Sequence, residues 1–426
     1  MPLSQPSRLT TTTARFGGLA LLVLLALGAC AEPAPKATTQ PSPPPAAATA
    51  PTSPPSAATT DVQLGNLPAP SPSVVQQDGV TLIAARTSGI SVPPLPRTTG
   101  RGELILHGGG RFGRGIAEAI VARAGPDPRL CLIDTADIEG QDIERLFAPF
   151  AGVQIAVLDI NTDDIARPDV LELLDKCTAY FFGGGDPKRL STILRPDGRD
   201  TPALAFIRRR FEQDGVLVAG SSAGAMIAGP VTLCECAANS SVQAVLNGRL
   251  FKAPGFEFIS APVLIDAHFF ARGLMGRHLF ALARDTLPVG VGIDEDAAVL
   301  ISSDQQTWRV IGRRGAALIY TPPEASMQKL EGFGLALLVP GDEFNPVTGK
   351  IALYGKRQRF AGSSLPVDIR EAGLHITPNL PITYDFEVLD DTVIVTDSPS
   401  PRAPDWLTGT GEESVLNARV SVRAAE

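Results

Sequence analysis

Between residues 103 and 220, short apolar runs alternate with stretches of helical period, and three of the runs stop at glycines. ELILH ends at Gly108-Gly109-Gly110, TAYFF at Gly183-Gly184-Gly185, and GVLVA at Gly220. Strand-length runs separated by helix-length patterns predict βαβ units, because parallel neighbours need a long crossover. GIAEAIVARA puts Ile116, Ile120 and Ala124 on one helical face. A helix holding Ile143, Leu146 and Phe147 is expected after the second strand, RLCLIDTA. Pro168–Cys177 is expected to be helical, with proline at an early position that lacks a hydrogen-bond partner anyway. Thr201–Asp214 reads as a further helix. The rhythm predicts an α/β fold with a doubly wound, mostly parallel sheet. Its site should lie at the carboxyl ends of the strands, where the glycines cluster. After Ala298 the pattern turns to β in AAVLIS, TWRVIG and GAALIY, and residues 362–426 read as a β-rich C-terminal extension.

The front of the chain is read as targeting and tether rather than fold. Arg8 and Arg15 precede the uncharged apolar run Phe16–Ala29, which ends in Leu27-Gly28-Ala29-Cys30. Such a run is short for a membrane span and has the layout of an export signal. Small residues before a cysteine resemble a bacterial lipobox, which implies cleavage before Cys30 and lipidation of its thiol. Residues 1–29 are thus expected to be a lipoprotein signal peptide. Residues 31–60 hold nine prolines, nine alanines and only two charges, Glu32 and Lys36. Such a composition buries too little apolar surface to offset its ordering entropy. A Pro/Ala/Thr-rich tether is expected over 30–75, then an α/β domain over 76–361. The expected place is outside the cytoplasm, with the membrane contacted through the N-terminal lipid alone.

A hydrophobic content of 44% over 426 residues is ample for a large core. The net charge of −8, with no basic stripe among aromatics, argues against nucleic acid as a partner. Four cysteines follow Cys30, too few for a disulfide scaffold. Cys131 sits in an apolar strand and is expected to be a buried thiol. Cys234 and Cys236 are too close for an easy mutual bridge, which leaves a bond to Cys131 or Cys177 open. No metal or organic cofactor is expected.

Gly220-Ser221-Ser222-Ala223-Gly224 fits the G-x-S-x-G pattern of a sharp strand-to-helix turn. Small neighbours let the central side chain project from the sheet end, which selects Ser222 as nucleophile. The N–H of Ala223 would then help to hold an oxyanion. A serine needs a base, and the chain has only four histidines. His107 heads HGGG, a pairing with GxSxG that also occurs in hormone-sensitive-lipase-like esterases. In that arrangement the base comes last, at His375. The other candidate is His268, delivered with Asp266 by the strand PVLID. The strand VGVGI ends in Asp294, Glu295 and Asp296, any one of which could orient the imidazole.

Four blocks in this order resemble the cyanophycinase-like serine peptidases, relatives of the aspartyl dipeptidases. FFGGGDPKRL resembles F-T-G-G-D-Q-x-R-L, and GSSAGA resembles G-T-S-A-G-A. DAHFFARGLMGR resembles D-Q-H-F-x-x-R-x-R-x-x-R, and VGIDEDAAV resembles G-I-D-E-D-T-A. The resemblance spans about residues 101–350. It implies a flavodoxin-like sheet related to class I glutamine amidotransferases, with Ser222 as nucleophile, His268 as base and Glu295 as orienting acid. It also implies oxyanion N–H groups from Gly185 and Ala223, leaves His107 without a chemical role, and makes a homodimer an expectation. The implied reaction is hydrolysis of cyanophycin, a polyaspartate with arginine on each side-chain carboxylate, to the β-Asp-Arg dipeptide. Asp186, Asp266, Arg272 and Arg277 are expected to meet the charged substrate. Pro187, Ala267 and Leu274 stand where the family has Gln, Gln and Arg, which puts the substrate in question more than the hydrolysis. Two other readings stay open: a carboxylesterase built on HGGG and GSSAG, and a non-catalytic peptide-binding lipoprotein.

Overall fold

The computed structural model describes residues 100–137, 143–234, 250–354, 358–361, 382–396 and 414–424. The export signal, Cys30, the tether, Cys236 and His375 lie outside the described residues.

Five strands form the parallel half of the larger sheet: β1 (Leu104–His107), β2 (Arg129–Ile133), β3 (Gln154–Leu158), β4 (Ala179–Phe182) and β5 (Leu217–Ser221). Their spatial order is β1-β5-β4-β2-β3, every neighbour parallel. β1, β4 and most of β2 and β5 are buried residue by residue, as strands covered on both faces must be. Alternation sorts their side chains into two cores. Leu104, Ile133, Phe182 and Val218 face one core, while Ile105, Leu132, Phe181 and Ala219 face the other.

Helices cover both faces. α1 (Arg114–Arg123) packs Ile116, Ile120 and Val121 into the second core. α2 (Pro168–Lys176), α3 (Pro187–Leu194) and α4 (Pro202–Gln213) pack Leu174, Leu190, Ile207 and Phe211 into the first. Each of these three begins with proline, and the Asp186 and Thr201 side chains cap the N–H groups of Lys188 and Leu204. Thr201 and Asp214 are the caps of α4, as the sequence pattern placed them. The helix expected around Ile143 is only a 3₁₀ turn, Ile143–Leu146, with Phe147 buried just after it.

The tetrapeptide helix α5 (Ala223–Met226) follows β5. β6 (Val231–Cys234) and β7 (Phe251–Pro254) make a separate two-stranded ribbon. β8 (Val263–Asp266), α6 (Met275–Asp285) and β9 (Val289–Ile293) come next. β8 and β9 open a second, seven-stranded sheet, and this departs from the single sheet expected from sequence. β10 (Ala297–Ile301) and β11 (Trp308–Gly312) return to the first sheet and extend it antiparallel from β1. β12 (Ala316–Tyr320) and β13 (Phe333–Leu338) rejoin the second sheet. β14 (Glu343–Phe344) and β15 (Ile351–Ala352) finish the edge of the first.

The last strands are β16 (Gln358–Ala361), β17 (Ile382–Thr396) and β18 (Ser414–Ala424). β18 lies between β13 and β17. Its Val415, Ala418 and Val420 are buried in one core with Leu279 and Leu282 of α6. The C-terminal β-rich region therefore completes the second sheet.

One cysteine expectation is corrected. Cys131 is bonded to Cys177, with Cα atoms 5.8 Å apart, so it is not a thiol, and Cys234 is buried. The reason is the parallel crossover. Cys177 closes α2, and the next residue, Thr178, donates its N–H to Arg129 at the start of β2, 2.8 Å away. That return brings Cys177 onto the face of β2 that carries Cys131.

Candidate active site

Four chain crossings meet where the two sheets adjoin. β5 ends at Ser221 and α5 begins at Ala223, so Ser222 occupies the turn alone. Its φ of 53° and ψ of −115° are unusual for a residue with a side chain. Backbone strain of this kind persists only where neighbours over-determine it. The Ser222 N–H donates to the His107 carbonyl at 2.9 Å, and the Ala225 and Met226 N–H groups donate to the Ser222 carbonyl at 3.0 Å. His268 lies two residues past β8, also at a φ of 53°. Its N–H donates to the Gly108 carbonyl at 2.7 Å.

Ser222 Oγ stands 2.8 Å from His268 Nε2, and His268 Nδ1 stands 2.6 Å from Glu295 Oε1. The three acids after β9 divide three tasks. Asp294 is buried and accepts the N–H groups of Phe270 and Ala271 at 3.0 and 2.8 Å, which fixes the loop carrying His268. Glu295 takes the imidazole. Asp296 Oδ1 accepts the Arg111 N–H at 2.6 Å. Burial pushes the Glu295 carboxyl up, but the His268 hydrogen bond and the charges of His268 and Arg272 outweigh it and hold the group ionised.

Burial, then Arg272, lower the pKa of His268 and outweigh the opposing pull of Glu295. The imidazole is thus the unprotonated acceptor that a general base must be at neutral pH. The sign is definite: protonation removes the base, so the acid limb of kcat/KM should be centred below the ordinary histidine value of 6.5. A pH–rate series checks this, and a limb centred above 6.5 would contradict it.

Of the four charged residues expected to meet substrate, two are corrected. Asp266 and Arg277 are buried against each other, with Arg277 Nε 3.0 Å from Asp266 Oδ2 and Nη2 on Oδ1. Burial pushes the Asp266 carboxyl up, but Arg277 and His278 outweigh it and bring it down to about 2. A carboxylate at the inner end of β8 and a guanidinium on the inner face of α6 are taken out of water together, so each must satisfy the other. The pair lies beneath the His268 loop. Arg272 is half exposed, its Nε 3.4 Å from Glu295 Oε1. Asp186 is partly buried and caps α3.

The Gly183–Gly185 turn arches beside Ser222, with the Gly224 N–H donating to the Gly183 carbonyl at 3.1 Å. A Cβ on Gly184 would come within 3.4 Å of Ser222 Cβ, whereas Gly185 is packed on the Ala136 carbonyl. The N–H groups of Gly184, Gly185 and Ala223 make no hydrogen bond among the described residues. Among the described residues, no group of three or more His, Cys, Asp or Glu is placed to hold a metal ion.

The family model for peptidase family S51 matches residues 104–308. A cyanophycinase of Synechococcus elongatus is 30% identical over 255 residues, covering 57% of this chain and 76% of that protein. A cyanophycinase of Geminocystis herdmanii is 31% identical over 240 residues, covering 53% of this chain and 85% of that protein. The chain belongs to peptidase family S51. It is a cyanophycinase-like peptidase. Among solved structures, a peptidase from an acI-B1 Actinobacterium is 22% identical and covers 58% of this chain and 98% of that chain, with a TM-score of 0.46.

Within this S51 peptidase, the HGGG segment has a use that reading it as an esterase motif missed. The would-be Cβ of Gly109 falls on the His268 ring, and that of Gly110 lies 2.6 Å from Glu295 Cβ. Both glycines have positive φ, 92° and 72°. They are glycines because the imidazole and the carboxylate occupy the space a side chain would need. The signal was present in the sequence as three consecutive glycines after a strand, but their neighbours come from residues 268 and 295.

Proposed function

We propose that this protein is a serine-type, cyanophycinase-like peptidase working through Ser222, His268 and Glu295, exported and anchored through a lipid on Cys30. The observation that carries the catalytic part is the continuous line from Ser222 Oγ through both nitrogens of His268 to Glu295, with links of 2.8 and 2.6 Å. As Ser222 Oγ bonds to the substrate carbonyl carbon, His268 Nε2 takes its proton. The oxyanion is held by the N–H of Ala223 and those of the Gly184–Gly185 turn. His268 then gives the proton to the leaving amine, the C–N bond breaks, and an acyl-enzyme ester remains. Water attacks the ester with His268 again as base, and Ser222 recovers its proton. Glu295 stays ionised throughout and stabilises the imidazolium.

The substrate is cyanophycin or a related aspartyl peptide. Arg272 is the half-exposed cation at the mouth and suits a substrate carboxylate, while Asp186 suits a cationic group. Ala267 and Leu274 are buried in one apolar core with Phe269 and Phe270, so the amide and guanidinium of the family pattern have no equivalents there. Anchoring outside the cytoplasm fits an insoluble polymer or external peptides.

One experiment tests the proposal. Full-length protein and its Cys30→Ala variant are expressed and the cells fractionated. Each fraction is given cyanophycin and a panel of α- and β-aspartyl dipeptides, and products are read by mass spectrometry. Peptide cleavage in the membrane fraction is expected, and the wild type, unlike Cys30→Ala, should show by mass a mature chain that begins at residue 30 and carries a lipid. Release of β-Asp-Arg names cyanophycin as the substrate. Cleavage of other aspartyl peptides alone makes Pro187, Ala267 and Leu274 the specificity determinants. Failure on every peptide sinks the activity, and a wild type without that lipid mass on residue 30 sinks the anchor.

A further inference from the structure

Two serine–histidine pairs meet at the elbow, and catalysis as proposed uses one of them. In the other, Ser221 Oγ lies 2.8 Å from His107 Nδ1. His107 and Ser221 are direct partners in the β1–β5 register. They therefore share one sheet face, the one on which Ile105 and Ala219 enter the α1 core. Ser222 is the next residue and leaves the sheet towards His268. The second pair thus lies one residue before Ser222, on the sheet face that meets α1.

His107 is built in. It is 1% exposed, and its ring meets Phe112 edge-on with centroids 4.7 Å apart. Phe112 is braced in turn by Phe147 and Phe181. Burial drives the His107 pKa down to about 4, against a smaller upward pull from the Arg111 backbone. A neutral ring can accept the Ser221 O–H at Nδ1, which a protonated one cannot. The main chain of the same residue holds the nucleophile, since its carbonyl accepts the Ser222 N–H. The segment then continues to the rest of the constellation. The Gly108 carbonyl accepts the His268 N–H, and the Gly109 carbonyl accepts the Asp296 N–H at 2.9 Å.

We propose that His107, acting through Ser221, is a positioning residue that holds the end of β5 so that Ser222 keeps its strained backbone and aims Oγ at His268. This rests on Ser222 being the nucleophile. The physical need is plain. A turn residue in a sparsely populated conformation relaxes unless both its neighbours are held. On the far side Gly224 is tied to Gly183. On the near side Ser221 is the last ladder residue, and its hydroxyl is tied to His107.

The test uses full-length protein carrying His107→Leu, His107→Asn, Ser221→Ala, or His107→Leu with Ser221→Ala. The readouts are kcat and KM on an aspartyl peptide, and the rate of inactivation by a serine-directed phosphonate, which needs only the nucleophile. Melting temperature reports folding. His107→Leu and Ser221→Ala should each lower kcat and the phosphonate rate by about 10- to 100-fold, with KM within about twofold. The double variant should be no worse than the poorer single one, because the two residues act as a unit. His107→Asn should recover most of the rate, since its Oδ1 can accept near the place of Nδ1. The acid limb of the pH profile should not move, as His107 is not the base. Folded Ser221→Ala with kcat within twofold of wild type overturns the proposal, as do additive losses, losses carried by KM, or no rescue by asparagine. If His107→Leu fails to fold, Ser221→Ala decides alone. Ser222→Ala is run beside them. A dead Ser222→Ala with an unimpaired Ser221→Ala removes the positioning role only, whereas an active Ser222→Ala removes the nucleophile assignment itself.

Discussion

Ser222→Ala is expected to lower kcat by about 10⁴-fold or more, and His268→Ala by a comparable factor. The first variant removes the only atom placed to bond the carbonyl carbon at this turn. The second leaves Ser222 Oγ without an acceptor for its proton, since His268 Nε2 is the group 2.8 Å away. The losses should not add, because either change leaves the same residual rate from oxyanion and binding contacts. The double variant should therefore match the poorer single one. Little change in melting temperature is expected, as neither change opens a core. Glu295→Gln should be milder than either, because the imidazole stays in place but loses a charge beside Nδ1. Steady-state kinetics on a cleaved aspartyl peptide checks all of these. A tenth of wild-type activity in Ser222→Ala would refute the serine mechanism.

Gly109→Ala should cost about 100-fold or more in kcat, although residue 109 contributes no chemical group. The added methyl is aimed into the His268 ring from a backbone at a φ of 92°. Neither partner can give way easily. The residue 109 carbonyl accepts the Asp296 N–H, and the His268 N–H is held by Gly108 one residue away. The imidazole must therefore rotate or shift, which breaks its alignment with Ser222 Oγ. A displacement near 1 Å at a reacting group is enough for a loss of this size. Gly113→Ala is the matched control, with a φ of −63° and no heavy atom within 4 Å of the new methyl. It should be silent. Phosphonate labelling of Ser222 in both variants separates a displaced base from a lost substrate contact. Wild-type labelling and turnover in Gly109→Ala would show that the strap of glycines does not hold the base.

Much of the fold and part of the candidate site were legible in the residues. Strand runs buried on both faces read as continuous apolar stretches, and the helices expected at Pro168–Cys177 and Thr201–Asp214 were placed to within a residue. Those signals are local, because each depends on backbone geometry over one or two turns. The elbow was visible for the same reason. A sharp turn demands small neighbours in sequence, so G-x-S-x-G exposes the position of Ser222 directly. The four ordered blocks then pointed to His268 and Glu295, which periodicity alone left beside His375 and two other acids.

Only the tertiary structure decided what those residues face. Period-2 patterning gives a strand its two sides but not its sheet, so it did not reveal that β8 and β9 belong to the second sheet while β5 and β10 belong to the first. The line of contacts from Ser222 through His268 to Glu295 arises at that junction, where the chain crosses between sheets over residues 294–296. A charge in a sequence likewise does not state its partner. Asp266 and Arg277 look like ligands for a charged substrate, yet the loop and helix between them fold them onto each other and out of water. Cys131 reads as an apolar strand residue until the crossover returns Cys177 beside it. HGGG reads as a turn, or as another enzyme's motif, until His268 and Glu295 fill the space its missing side chains leave. By itself the sequence determined the parallel strands, the starts of α2 and α4 and the sharp turn that holds Ser222, because these obey short-range sterics. The sheet assignment, the buried ion pair, the disulfide and the glycine strap depend on contacts between residues far apart in the chain, and only folding brings those together.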